Sequence, residues 1–409
     1  MPKQQPRCGG TKVTIAQCQR LFAAPAGTVR HMAAPETARS RISARGAEDV
    51  PAVRVTPAVR AHVLADAATL AMFRVIRRPP SEASWQAMLA EAHAGHTAFA
   101  RAGWLDDPRS YHADPPPLTS PRWRRARVGR MEVERLAFAS EWTPPPGVPG
   151  RDRWLSYDAN RTARATVLRH PGGPRPWVVC VHGTAMGRDA DLHSFRVRHL
   201  FTDLGCNVVL PILPLHGPRR ERRRPAAQFP SIDPLDNVHG LAQSAHDVRR
   251  IIGWIRTQSP EGIALQGVSL GGYVAALVAG LDAPLDCVVA IIPVTDFPTI
   301  FRSQTPPGLV ARLTPMLEPA AALHTVVSPL RFDPSTPVAR RFIVAGLVDQ
   351  LVDAVDQIVP LWHHWQEPNI HWYPGGHIGF AARRDVRWYV DFAFVSTGVV
   401  HSEAVSVGV

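Results

Sequence analysis

Six short, predominantly apolar runs punctuate residues 177–373 of this chain, at 177–181, 206–212, 263–266, 287–292, 342–345 and 370–373. They are too short for buried helices and have the length of buried strands. Between and after them lie segments with helical periodicity, at 189–204, 241–257, 272–281, 350–361 and 385–395. In the second of these, Val248, Ile251, Ile252 and Ile255 form one stripe. Strands buried on both faces and alternating with helices imply an α/β fold, a mostly parallel central sheet flanked by helices. In such sheets ligands bind beyond the carboxyl ends of the strands. Chemistry is therefore expected in the loops that follow the apolar runs.

Four of those loops carry chemistry-bearing residues. Gly267-Val268-Ser269-Leu270-Gly271 lies between a strand and a helix. A sharp turn that exposes Ser269 needs glycine on both sides, and the helix that follows directs its free N–H groups and positive dipole end at the hydroxyl. Val181-His182-Gly183-Thr184-Ala185 also follows a strand. Acyl transfer needs two N–H donors facing a developing oxyanion. The backbone of Leu270 is assigned as one and that of Thr184 as the other, with Ala185 as the rival for the second. Ala345-Gly346-Leu347-Val348-Asp349 places an acid just past a strand, where it can orient a histidine. Tyr373-Pro374-Gly375-Gly376-His377 supplies that histidine. Asp353 and Asp356 compete with Asp349 but fall inside the expected helix at 350–361, turned away from the sheet edge.

Ser269, Asp349 and His377 thus occur in the order serine, acid, histidine, each after a strand. With the His-Gly loop, this resembles the α/β-hydrolase superfamily over about 126–395. The stretch Gly267-Val268-Ser269-Leu270-Gly271-Gly272-Tyr273 is similar to elbows of prolyl-oligopeptidase-like and dienelactone-hydrolase-like members. The loop Pro214-Leu215-His216-Gly217-Pro218-Arg219 departs from the acidic, glycine-rich form common in the superfamily, and no subfamily is assigned. The resemblance implies a Ser–His–Asp triad, no cofactor, and a cap inserted between late core strands. Residues 296–338, with Leu309, Val310, Leu313 and Leu317, are expected to form it and to shape an apolar site. The activity implied is that of a serine hydrolase cleaving a carboxylic ester through an acyl-enzyme. An acyltransferase would use the same groups. A prolyl-oligopeptidase-like peptidase would usually carry a large all-β domain, for which the preceding 125 residues are too short and too helical. A non-enzymatic relative would have lost a triad member, and a haloalkane dehalogenase would need a carboxylate in place of Ser269.

Domain organisation is read as an extension at 1–50 without apolar periodicity, a helical region at 51–125, the hydrolase domain at 126–398 and a tail at 399–409. Five basic residues and no acid precede Glu36, as in a transit peptide, but an unstructured extension with Met32 as a second start is preferred. Thr56 and Pro57 open a first helix, with Val59, Val63, Leu64, Leu70 and Phe73 at helical spacing. Arg74, Arg77 and Arg78 at its end would suit a membrane surface, but packing against the main domain is preferred. Ser81 opens a second helix with Trp85, Met88, Leu89 and Phe99. No run of 18 apolar residues exists, which excludes a membrane-spanning helix.

The net charge of +12 invites a nucleic-acid partner. Lysine occurs only at Lys3 and Lys12, however, so the basic residues are almost all arginine, as under coding bias. Residues 151–409 carry 25 basic and 22 acidic side chains, a balance of only +3. No nucleic-acid partner is expected, and a small-molecule ester is. Cys180, Cys206 and Cys287 fall in apolar runs and, with Cys8 and Cys18, show no metal or disulfide spacing. Buried thiols point to a reducing compartment, read as the cytoplasm. His363 and His364 lack a third ligand at suitable spacing, so no metal is expected. His216 is read as a turn residue, and the arginines at 219, 220 and 222–224 as a solvated run.

Overall fold

The structure, a computed structural model, describes residues 48–76, 80–221, 227–305 and 307–401. The expectations for residues 1–47, for Arg77 and Arg78, for Arg222, Arg223 and Arg224 and for 402–409 lie outside the described residues.

The described residues form a 9-stranded sheet in the order β1-β2-β3-β5-β4-β6-β7-β8-β9. The strands are β1 (Arg122–Val128), β2 (Met131–Ala139), β3 (Thr162–Leu168), β4 (Trp177–Val181), β5 (Asn207–Ile212), β6 (Ile263–Val268), β7 (Cys287–Ile291), β8 (Arg341–Gly346) and β9 (Asn369–Tyr373). From β5 through β4 to β9 all pairs are parallel, and β1, β2 and β3 extend the sheet as antiparallel neighbours of β5. Every residue of β4, β6, β7 and β8 is buried, which is why these strands read as unbroken apolar runs. The chain leaves β4 toward β5 on one side and returns to β6 on the other. Loops at the carboxyl ends of β4 and β6 therefore border the point where the winding reverses.

Among the described residues eight α-helices have six or more residues. They are α1 (Pro57–Ile76), α2 (Glu82–Arg101), α3 (Pro234–Arg256), α4 (Leu270–Leu281), α5 (Phe297–Gln304), α6 (Val310–His324), α7 (Val359–His364) and α8 (Arg384–Ser396). The stripe Val248, Ile251, Ile252 and Ile255 of α3 and the apolar body of α4 cover one face of the sheet. Val386, Tyr389, Val390 and Phe394 of α8 cover the other. Ser81 caps α2, which buries Trp85, Ala92 and Phe99. α5 and α6 lie between β7 and β8 in the chain, and α6 packs on α2 and α3. α1 begins as its sequence dictates: Pro57 occupies the first turn and the Val59 N–H donates to Thr56 Oγ1 at 3.2 Å. Among the described residues no helix is long and apolar enough to cross a membrane.

Several elements differ from expectation. β1 was not anticipated, because Arg122, Arg124, Arg125 and Arg127 hide any alternation; it is an edge strand joined to β2 by a two-residue turn with Gly129 at φ 57°. The boundary drawn at 126 falls inside it. The segment 189–204 is not one helix, because Arg196 adopts φ 50° and leaves only short turns at Asp191–Ser194 and His199–Asp203. In 350–361, Asp353 stands at the start of a wide turn, accepting the N–H groups of Val355 and Asp356, so it caps rather than lies inside. Leu64 is 69% exposed and does not join the inward stripe of α1. Arg219 is buried and paired with Asp247 at 2.9 Å, unlike the solvated arginine expected.

Candidate active site

Ser269 stands between β6 and α4 with φ 55° and ψ −113°, a conformation that non-glycine residues rarely adopt. Its surroundings hold it there. The Ser269 N–H donates to the Ile291 carbonyl at 2.9 Å, and its own carbonyl accepts from Tyr273 and Val294. The flanking glycines are obligatory on steric grounds. A Cβ on Gly267 would stand 2.0 Å from the Gly271 carbonyl oxygen, and one on Gly271 would stand 2.0 Å from that of Val181. The turn is therefore pressed against the end of β4, and the first turn of α4 lies beside the His-Gly loop.

His377 follows β9 and reaches back over the sheet edge. Its Nε2 lies 3.1 Å from Ser269 Oγ, and its Nδ1–H donates to Asp349 Oδ2 at 2.7 Å. Asp349 follows β8; its Oδ1 accepts the N–H groups of Leu351 and Val352 at 2.9 and 2.8 Å, which fixes the carboxylate. Asp349 is the acid that meets His377, whereas Asp353 is committed to its own turn. The two loops are zipped together: Leu347 N–H donates to the Tyr373 carbonyl and Val348 N–H to that of Gly375. Ser269 is 9% exposed. Burial alone would depress the His377 pKa, but the charge of Asp349 and its hydrogen bond, then the charge of Asp66, outweigh it and hold the imidazole above its ordinary value.

The strand-end loop after β4 borders the hydroxyl. A Cβ on Gly183 would lie 3.5 Å from Ser269 Cβ. The Gly183 N–H is directed at Met186 Sδ, 3.2 Å away, and Thr184 and Ala185 follow it along the loop. Ala185 has φ 65°. Leu270 is the first residue of α4, where backbone N–H groups have no partner within the helix. His182 latches the loop: Nδ1–H donates to the Gly183 carbonyl at 2.8 Å and Nε2 accepts the Leu213 N–H at 3.0 Å. Burial, reinforced by neighbouring His216, keeps its pKa well below the ordinary value, consistent with this neutral tautomer. His216 is buried and donates to the Pro214 carbonyl, a structural use.

One residue of this site was missed in the sequence. Asp66, in the middle of α1, is fully buried, and its carboxylate accepts backbone N–H groups of Gln350, His377 and Ile378. The signal was present: Asp66 falls on the inward stripe Val59, Val63, Leu70 and Phe73 and is the sole acid of that helix.

The fold places the chain in a known class. It superposes on an acetyl xylan esterase from Paenibacillus sp. R4 with a TM-score of 0.50 over 71% of this chain and 92% of that one, at 15% identity. With the 9-stranded, mostly parallel sheet flanked by helices, this gives the chain an α/β-hydrolase fold. No family model matches the sequence. Two proteins of Mycobacterium tuberculosis do: uncharacterized protein MT2702 of strain CDC 1551 / Oshkosh and uncharacterized protein Rv2627c of strain ATCC 25618 / H37Rv. Each is 41% identical over 361 residues, 86% of this chain and 86% of its own length, and the chain belongs to their family.

Proposed function

We propose that this chain is a serine hydrolase that cleaves a carboxylic ester through an acyl-enzyme. The observation that carries the reading is the hydrogen-bonded series Asp349–His377–Ser269, assembled from three different strand ends around a strained serine. His377 Nε2 takes the Oγ proton as Ser269 attacks the ester carbonyl carbon. The oxygen that becomes negative rests on the N–H groups of Leu270 and Thr184, aided by the dipole of α4. His377 returns the proton to the departing alcohol, leaving an acyl group on Ser269. It then takes a proton from water, whose oxygen attacks the acyl carbon, and Ser269 leaves with that proton as the acid is released. Residues 296–338, which include α5 and α6, would form the cap, and buried Leu313 with half-buried Val310 and Leu317 would favour an apolar substrate.

The test is covalent labelling by a fluorophosphonate, followed by hydrolysis of an ester panel of graded acyl length. Labelling should map to Ser269, and Ser269→Ala should lose it together with at least about 10³-fold in turnover. Undiminished ester turnover in Ser269→Ala would sink the assignment.

A further inference from the structure

We infer that Asp66 is a positioning residue of the active site, a carboxylate from the N-terminal helix that locks the loops carrying Asp349 and His377 into one unit. The inference rests on the hydrolase reading above and extends it to a part of the chain outside the sheet.

The geometry is specific. Asp66 Oδ2 accepts the His377 N–H at 2.7 Å and the Gln350 N–H at 3.1 Å. Oδ1 accepts the Ile378 N–H at 3.0 Å. One carboxylate therefore ties the residue after the acid to the histidine and to its successor. Three backbone donors converge on a group with no exposed surface, and among the described residues no basic side chain forms an ion pair with Asp66. A buried charge is costly unless hydrogen bonds compensate it, and these amides do so. The pocket is shaped for it: a Cβ on Gly376 would lie 2.4 Å from Asp66 Oδ2. Gly376 is not in the left-handed region, so the lack of a side chain there serves the carboxylate rather than the backbone. α1 is also moored at its far end, where Arg74 donates to the Gln304 carbonyl of α5 at 3.1 Å.

Two effects on catalysis follow. First, the His377 backbone is held where its Nε2 meets Ser269, and small misplacements of a reacting group are expensive in rate. Second, the charged groups facing the imidazole are Asp349, from the loop after β8, and Asp66, from α1; Ser269 faces its other nitrogen. A second carboxylate near the ring favours the imidazolium that forms during attack.

The experiment compares the wild-type full chain with Asp66→Asn and Gly376→Ala. It reads the rate of fluorophosphonate labelling, kcat and KM on an ester, and the pH dependence of kcat/KM. An asparagine keeps the size but presents an NH2 group to N–H donors. Asp66→Asn should lower labelling rate and kcat on the order of 10- to 100-fold, with KM nearly unchanged. Its acid limb should move to lower pH, because a charge that favours protonated His377 is gone. A purely structural role would lower the melting temperature without moving that limb. Gly376→Ala, which displaces the carboxylate while leaving it charged, should reduce kcat similarly, and should add no further loss in an Asp66→Ala background. If Asp66→Asn does not fold, Gly376→Ala in the otherwise wild-type chain decides alone: a lowered kcat with KM nearly unchanged supports the role, and a wild-type kcat overturns it. Wild-type rates and an unmoved acid limb in Asp66→Asn, with Ser269 still labelled, would overturn the role of Asp66 and leave the hydrolase reading standing. A wild-type chain that is not labelled at Ser269 would overturn both.

Discussion

The two carboxylate oxygens of Asp349 have separate duties, one fixing the loop through Leu351 and Val352 and the other holding His377 Nδ1–H. Asp349→Asn preserves shape but must turn an NH2 group toward one set of donors, favouring the wrong histidine tautomer. Its kcat on an ester should fall about 10⁴-fold, while Asp353→Asn and Asp356→Asn stay within a few-fold. Collapse in either of the latter with Asp349→Asn active would move the acid elsewhere. The raised His377 pKa also has a sign to test. The neutral ring is the base, so kcat/KM should fall as pH drops through a value above the ordinary histidine range, and Asp349→Asn should shift that midpoint downward. Ser269, Asp349 and His377 were legible because each sits in a loop directly past an apolar run. Asp66 was legible only as an acid on the inward stripe of α1; its partners, backbone amides 284 to 312 positions away, leave no mark in a side-chain pattern.

Helix α1 makes the N-terminal region more than a cover. A chain beginning at residue 81 would lose Asp66 and should fall in kcat at least as far as Asp66→Asn. One beginning at residue 48 should retain wild-type turnover, a pair of truncations easily compared by labelling rate. At the elbow, Gly271→Ala drives a methyl into the Val181 carbonyl, so α4 must shift away from β4. That variant should lose labelling even where circular dichroism shows the helices intact. Strands buried on both faces and helices with one apolar stripe were legible from periodicity alone. β1 escaped because pairing along its length, not apolar burial, holds it to β2. The helix expected at 189–204 failed because a single positive φ at Arg196 outweighs helical propensity on either side.

The arginine excess acquires a role when the molecule is viewed entire. Arg250 donates to four backbone carbonyls, those of Pro116, Pro117, Ala139 and Ser140, and Arg341 to those of Pro334, Thr336 and Trp365. A guanidinium fork can tie several loops at once, which an ammonium cannot do in the same geometry. Arg219, 1% exposed, is paired with Asp247 at 5%. Arg219→Ala would strand that carboxylate and should cost about 3–5 kcal/mol in urea unfolding. With these guanidinium groups turned inward and residues 151–409 balanced at only +3, duplex DNA should bind weakly at physiological salt; submicromolar affinity with a steep salt slope would contradict this. The clamp from α1 also sets a timetable. Asp66 and His377 are separated by 311 positions. At about 5–20 residues per second, the ribosome releases the helix about 15–60 s before its binding partner exists. A nascent chain thus carries Asp66 hydrated rather than held by these amides until His377 and Ile378 emerge, and the proposed catalytic site cannot be complete before then.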